Sequence, residues 1–374
     1  MSGVPFVDLK AQYARLKPQI AEAIQDVLDD GRYILGPAVA KLESDLAEYC
    51  GAAHAISCSS GTDAIFMPLL AYEVGPGDAV FVPSFTFTAT AEAILLAGAS
   101  PVFVDVEADS FNIDLADLTQ KISETRNGGK LTPKAILAVD LFGLPADWNG
   151  LNTLAEREGL YLISDAAQSF GGVYHNKRVG SLAPVSGTSF FPAKPLGCYG
   201  DGGAIMTDDD GLAEVLKSIR VHGAGADRYE VVRIGINGRL DSIQAAILSV
   251  KLSVFDDELE ARERVAQIYD EELKDVVATP KRIDGLKSAW AQYTIKTEKR
   301  AAVQEKLGAA GIPTMIYYPK PMHLQAPYLA YGSGEGSLPV SEAICHQVMS
   351  LPMHPYLSDD DARRIAAATR DALA

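Results

Sequence analysis

A lysine set between two prolines is poorly placed for the interior of a helix or a strand. In Ser189-Phe-Phe-Pro-Ala-Lys194-Pro-Leu-Gly-Cys-Tyr-Gly-Asp-Gly203 a strand signal ends, Pro192 breaks it, and one amine precedes a glycine-rich loop. The glycines at 197, 200, 202 and 203 let backbone approach another group closely. Upstream, Tyr161-Leu-Ile-Ser-Asp165 reads as an apolar strand ending in a carboxylate, followed by Ala-Ala-Gln168-Ser-Phe-Gly-Gly172. In parallel α/β sheets, ligands gather at the carboxyl ends of strands. A lysine able to form a Schiff base and a carboxylate able to pair with a pyridinium nitrogen are what pyridoxal phosphate requires of a protein. The carboxylate keeps the ring nitrogen protonated, so the ring can accept electrons from a substrate carbon.

A phosphate needs a cradle. Ser57-Cys-Ser-Ser60-Gly61-Thr62-Asp63 follows a short strand and opens an apolar helix. Backbone N–H groups at such a helix start, with the Thr62 hydroxyl, can hold an anion. The spacing is neither a Walker A loop nor a dinucleotide fingerprint. Asp63 is expected to turn away from a phosphate, toward backbone donors. Pro83-Ser-Phe85-Thr-Phe87-Thr-Ala-Thr90 lies at another strand end and offers rings to a flat ligand. Gly235-Ile-Asn237-Gly-Arg239-Leu-Asp241 supplies an amide and a guanidinium suited to a carboxylate or phosphate. Singly, each has a plainer reading: a surface lysine, a helix cap, core aromatics, an arginine in a turn.

These residues must be positioned by a frame. Short apolar runs bounded by turn residues read as buried strands: 78–82, 101–106, 135–139, 160–164, 188–191 and 204–207. Helical segments such as 88–96 and 148–158 lie between them, which argues for a mainly parallel sheet covered on both faces. Apolar spacing predicts two earlier helices that stop at Gly31 and Gly51. Asp241 and Gln244 resemble a capping box opening a long helix that runs through Ile247 and Val254 to Leu273. A strand over 291–297, a helix over 300–310 and a last helix from Ser358 suggest a smaller α+β unit. The expected division is 1–250 and 251–374.

Composition narrows the class. Among 374 residues, 33 Lys and Arg stand against 49 Asp and Glu, for a net charge of −16. A protein that binds nucleic acid by neutralising phosphates would carry the opposite balance. An anionic ligand must therefore meet a local cationic site. No apolar run is long enough for a membrane span, and Asp8 and Lys10 interrupt the N-terminus before a signal sequence can develop, so a cytoplasmic protein is expected. The four cysteines, Cys50, Cys58, Cys198 and Cys345, form no C-x-x-C pair. The histidines lack metal-ligand spacing, and no metal is expected.

The segments SSGTDA, PSFTFTATA, SDAAQSFGG, SFFPAKPLGCYGDGGA and GINGRLDSIQAA, in this order, resemble the DegT/DnrJ/StrS nucleotide-sugar aminotransferases. The likeness runs from FVDLK to QVMSLPMHPYL, essentially the whole chain. It implies the type I pyridoxal-phosphate transferase fold: a large domain with a mainly parallel mixed sheet sandwiched by helices, plus a smaller C-terminal α+β domain. It also implies a homodimer with active sites at the subunit interface. Under it Lys194 would bind the cofactor aldehyde, Asp165 the ring nitrogen and Gln168 the ring hydroxyl. Gly61, Thr62 and Ser189 would hold the phosphate, Asn237 would reach it from the neighbouring subunit, and Phe87 would stack on the ring. Relatives with histidine at the lysine position are dehydratases; lysine favours transamination.

Within the family, SFFPAKPLGCYGDGGA and VMSLPMHPYL look especially like the branch that aminates C3 of UDP-2-acetamido-3-keto-hexuronic acids for bacterial O-antigen. The donor would be glutamate, leaving 2-oxoglutarate. Arg239, Tyr317, Tyr318 and His323 would meet the sugar. Two departures stand out: Gly238 where that branch often has Ser, and Tyr317-Tyr318 where it often has His-Tyr. A dTDP-3-keto-6-deoxyhexose is the alternative sugar. A non-catalytic regulatory relative and a nucleotide-sugar binder without the cofactor are the alternative classes.

Overall fold

Apolar residues recurring every three or four positions build the helices here, and short buried runs build the strands. The computed structural model describes residues 4–227 and 229–374. Helices α1 (Leu9–Asp30) and α2 (Pro37–Cys50) stop at Gly31 and Gly51, both left-handed (φ 73° and 75°), as their spacing predicts. Next come β1 (His54–Cys58), α3 (Gly61–Ala71), β2 (Asp78–Pro83), α4 (Thr88–Leu96), β3 (Ser100–Val104) and α5 (Leu115–Gly128). They lead to β4 (Thr132–Val139), α6 (Trp148–Glu158) and β5 (Tyr161–Asp165). A small hairpin, β6 (Val173–Tyr174) and β7 (Lys177–Arg178), precedes β8 (Val185–Ser189), β9 (Gly203–Thr207) and α7 (Asp210–Ile219). The remainder is α8 (Ser242–Leu252), α9 (Phe255–Leu273), β10 (Leu286–Lys287), β11 (Tyr293–Lys296), α10 (Arg300–Ala309), α11 (Pro339–Gln347), β12 (Val348–Leu351) and α12 (Asp359–Leu373).

Seven strands form one sheet in the order β1-β9-β8-β5-β4-β2-β3. Only β9 runs against the others. Alternate residues serve opposite faces. Val80, Leu137 and Ile163 pack with Ile65, Ile94 and Leu216 on one side, while Phe81, Ile136 and Leu162 meet Leu118, Leu151 and Trp148 on the other. Both faces are thus covered, as parallel sheets require. One consequence governs everything below: the strands other than β9 end at one edge, with the chain leaving at Ser59, Ser84, Asp140, Ala166 and Phe190. A second core joins Tyr269 of α9, Tyr293 and Ile295 of β11, Met349 and Leu351 of β12, Leu307 of α10 and Ile365 of α12. Val4 reaches into it from the N-terminal segment.

Three local expectations change. The strand expected over 188–191 lies earlier, at Val185–Ser189, because Val185 pairs with Ile163 and Thr207 while Phe191 is exposed. The long helix after Asp241 is two helices. Ser253 turns its hydroxyl back onto the carbonyl of Val250 (2.7 Å), and the acidic start Asp256-Asp257-Glu258 favours a fresh helix N-terminus at Phe255. No capping box forms: Asp241 makes no side-chain cap bond, and the Gln244 Oε1 accepts from the Tyr199 backbone N–H (2.9 Å) instead. Among the described residues no helix is long and apolar enough to cross a membrane.

His354, just after β12, is buried. Burial and the nearby Arg262 cation lower its pKa from 6.5 to about 4. The unfolded chain therefore binds a proton that the folded chain refuses, so stability gained above pH 6.5 is lost as the pH falls through 4. In denaturant titrations, the wild-type unfolding free energy minus that of His354→Asn should rise by roughly 3 kcal/mol between pH 4 and 6.5. A flat difference would place the ring in water.

Candidate functional site

The carboxyl edge of the sheet brings the predicted residues together. Asp165 closes β5 and is buried. Its Oδ2 accepts from the Thr90 hydroxyl (2.9 Å) and its Oδ1 from the Ala167 backbone N–H (3.1 Å). Burial pushes its pKa up; the two hydrogen bonds and the Lys194 cation pull the other way. Lys194 follows β8, where its backbone N–H caps a turn onto the Phe191 carbonyl (2.8 Å). Burial lowers its pKa, against the attraction of Asp165. The two charges feel one another yet form no ion pair, and the amine makes no hydrogen bond to the described residues. An amine and a carboxylate that attract one another without pairing suit a ring with an aldehyde and a basic nitrogen.

The lysine loop is tied down by α8. The buried Lys251 donates to the Gly197 carbonyl (2.5 Å) and lies over the Tyr199 ring (4.0 Å to its centroid). Burial lowers its pKa to about 8, with Glu258 opposing. Gly197 itself has no room for a side chain, since a Cβ would sit 2.6 Å from the Pro192 carbonyl oxygen.

The phosphate cradle assembles as its sequence suggests. Gly61 opens α3, capped by the Ser60 hydroxyl, which accepts from the Asp63 N–H (3.1 Å). A Cβ on Gly61 would lie 2.5 Å from the Ser189 Cβ, so only glycine lets this helix start meet the end of β8. Thr62 sits beside it, half-buried. The expectation for Asp63 needs correcting: its carboxylate turns to the Ser59 hydroxyl, a side-chain donor, not to backbone. The free N–H groups of α3, the Thr62 hydroxyl and Ser189 form a donor set that fits a phosphate.

Around the ring space, Gln168 is buried with its Oε1 accepting from the Phe142 N–H (2.7 Å) and its Nε2 donating to the Tyr318 hydroxyl (3.2 Å). The Tyr318 ring stands 6.1 Å from both Phe85 and Phe87. Phe85 is core, while Phe87 is half exposed and free to face a ligand. Tyr317 is half-buried beside Phe6 (6.3 Å between rings).

One predicted contact lies elsewhere. His323 does not line the site. It is fully buried, with Nδ1 on the Ser84 hydroxyl (2.6 Å) and Nε2 on Glu342 (3.1 Å), so one ring nitrogen ties its segment to the end of β2 and the other to α11. Asn237 is exposed on a segment whose next residue, Gly238, accepts from the Ser59 N–H (3.1 Å). Arg239 is half-buried, and its Nε is buried with no partner among the described residues. Sequence reasoning missed Thr90 and Asp140. Thr90 stood in a quoted motif but carried no sign that it faced β5; that follows only from the strand order.

Residues 14–370 match the DegT/DnrJ/EryC1/StrS aminotransferase family, and the chain belongs to it. A Pseudomonas aeruginosa protein named UDP-2-acetamido-2-deoxy-3-oxo-D-glucuronate aminotransferase is 46% identical over 98% of this chain and 99% of its own length. A Geobacillus stearothermophilus protein named pleiotropic regulatory protein is 45% identical over 97% and 96%. The crystal structure of a family aminotransferase from Brucella abortus superposes with a TM-score of 0.97 at 53% identity, covering 98% of this chain and 99% of that one. The fold is thus that of the pyridoxal-phosphate-dependent sugar aminotransferases, and pyridoxal 5'-phosphate is the cofactor.

Thr90→Val removes one donor from a buried carboxylate while keeping the shape. It should destabilise the cofactor-free protein by about 1.5–3 kcal/mol in urea titration. Unchanged stability would mean that the hydroxyl does not serve Asp165.

Proposed function

We propose that this enzyme moves the amino group of glutamate to C3 of a UDP-linked 3-keto-sugar, a 2-acetamido-3-keto-hexuronic acid, for a bacterial surface polysaccharide such as O-antigen. The observation that carries the catalytic part is that the Lys194 amine and the buried Asp165 carboxylate sense one another's charge with no ion pair between them. The cofactor supplies an electron sink when bound. Lys194 would hold its aldehyde, and its free amine would serve as base and then acid for the proton on the substrate carbon. A depressed pKa leaves more of that amine neutral for the task. Asp165 keeps the ring nitrogen charged, Gln168 donates to the ring hydroxyl, and Phe87 covers one ring face. Gly61, Thr62 and Ser189 hold the phosphate. Glutamate and the keto-sugar use the site in turn, which predicts ping-pong kinetics.

Arg239 supports the uronic acid over a neutral sugar. Its half-buried guanidinium forms no ion pair among the described residues, and a sugar carboxylate is the bidentate partner such a group takes. Tyr317 and Tyr318 offer hydroxyls to the sugar. In the same reading Asn237 acts across a homodimer interface and reaches a second copy's phosphate. Exposed Ile34, Val231, Val232 and Ile234 give such an interface an apolar face, and Ile34 is bridged to Asp241 beside Arg239. A cytoplasmic location, where nucleotide sugars are made, belongs to this reading.

The test loads the protein with pyridoxamine phosphate and offers a panel of nucleotide keto-sugars. Return of the absorbance band of lysine-bound cofactor, at roughly 410–430 nm, with the UDP-uronic acid is expected. Return only with a dTDP-keto-deoxyhexose would move the assignment to the neutral sugar, and no return with any sugar would favour a regulatory role. Lys194→Ala should abolish the band and lower turnover by at least about 10³-fold. Arg239→Ala should raise KM about 10–100-fold for the uronic acid and leave it unchanged for a neutral keto-sugar; equal effects on both would remove Arg239 from the carboxylate.

A further inference from the structure

A second sealed carboxylate lies beside Asp165, and the transfer chemistry leaves it unused. Asp140 follows β4, where Val139 pairs with Asp165, and its backbone N–H donates to the Asp165 carbonyl (3.2 Å). Its side chain is wholly buried. Oδ1 accepts from the Ala146 N–H (2.7 Å) and the Trp148 indole (3.0 Å), and Oδ2 from the Ser169 hydroxyl (2.8 Å).

These contacts reach two walls of the cofactor space. Ser169 belongs to the turn that carries Gln168. Ala146 and Trp148 end the segment that begins at Leu141, whose Phe142 N–H fixes the Gln168 carbonyl (2.7 Å). Phe142 is itself held at φ 59°, a left-handed conformation that a bulky residue adopts only when its surroundings impose it. One carboxylate thus braces both the residue that meets the ring hydroxyl and the backbone that orients that residue.

Its charge also matters. Asp165 is the titratable group that faces it, and the repulsion between two buried carboxylates is mutual. Burial lifts Asp140 to about 7 even though three donors oppose the shift. Above about pH 7, where it ionises, Asp140 adds to the negative potential at the end of β5, which favours protonated forms nearby.

Resting on the pyridoxal-phosphate reading, we propose that Asp140 is a positioning residue for the cofactor ring: it braces Gln168 and strengthens the field in which Asp165 holds the ring nitrogen's proton. Asp140→Asn separates the two parts. The amide keeps an acceptor for Ala146 and Trp148 and can donate to Ser169, so the brace survives while the charge goes. The readout is the pH midpoint of the absorbance band of the lysine-bound cofactor. In Asp140→Asn it should fall by about 0.5–1 pH relative to wild type, with the melting temperature of the cofactor-free protein close to wild type. Asp140→Ala, which loses brace and charge, should weaken pyridoxal phosphate binding at least about 10-fold by fluorescence titration. A midpoint identical to wild type in Asp140→Asn overturns the proposal, whether or not the alanine variant folds. A wild-type protein that takes up no pyridoxal phosphate overturns the cofactor reading instead, so the two failures are distinct.

Discussion

Two opposite charges held near one another, inside the protein, and kept from touching are the constraint on which this molecule is built. Asp165 and Lys194 each lose hydration, and burial moves both pKa values toward the neutral forms. A direct ion pair would relieve that cost but would close the space. The fold avoids the collapse by fixing each group to a different strand. Asp165 terminates β5, and Lys194 sits beyond β8, in a loop clamped by Lys251 and by the close approach of Gly197 to Pro192. The unrelieved electrostatic tension is what a ring with an aldehyde at one end and a basic nitrogen at the other can satisfy.

The phosphate end of the same ligand depends on a different economy, that of missing side chains. Gly187 lets α3 lie against β8, since a Cβ there would come within 2.4 Å of the Ala64 carbonyl oxygen. Gly203 does the same against the Ser60 carbonyl oxygen (2.4 Å), and Gly61 against Ser189. Removing any of this space would push the helix start away from the end of β8 and separate its N–H groups from the Ser189 hydroxyl. Distance between the phosphate cradle and Lys194 is therefore set by backbone packing, not by long side chains, and is correspondingly rigid.

Much of this was legible in sequence because the chemistry-bearing residues stand at ends of elements with strong local signals. Helices α4 and α6 fall at their predicted bounds, Gly31 and Gly51 stop their helices, and the apolar runs of β2, β4, β5 and β9 are strands. Lys194, Asp165 and Gly61 were readable as candidates for the same reason, while Gln168 and Ser189 came only from the family resemblance. Other failures share another cause: a partner far along the chain. Gln244 abandons its helix start for Tyr199, and His323 gives both nitrogens to Ser84 and Glu342. Thr90 and Asp140 acquire meaning only once β5 is known to lie between β4 and β8, within reach of the start of α4. Hydrophobic periodicity reports which face of an element is buried, but says nothing of which polar atom waits on the other side.

The charge balance completes the physical picture. A chain of net charge −16 repels anions at long range, yet its cofactor carries a phosphate and the nucleotide sugars of the family's substrates carry more. Attraction must then come from a few groups that the acidic surface does not already neutralise. Several surface arginines are spoken for: Arg15, Arg32, Arg126, Arg178 and Arg282 all sit on carboxylates. Near the site, the Lys194 amine and the Arg239 guanidinium form no ion pair among the described residues, and the N-terminus of α3 adds its free N–H groups. Positive groups left unpaired at the carboxyl edge of the sheet give an anion a place to bind against the repulsion of the chain as a whole.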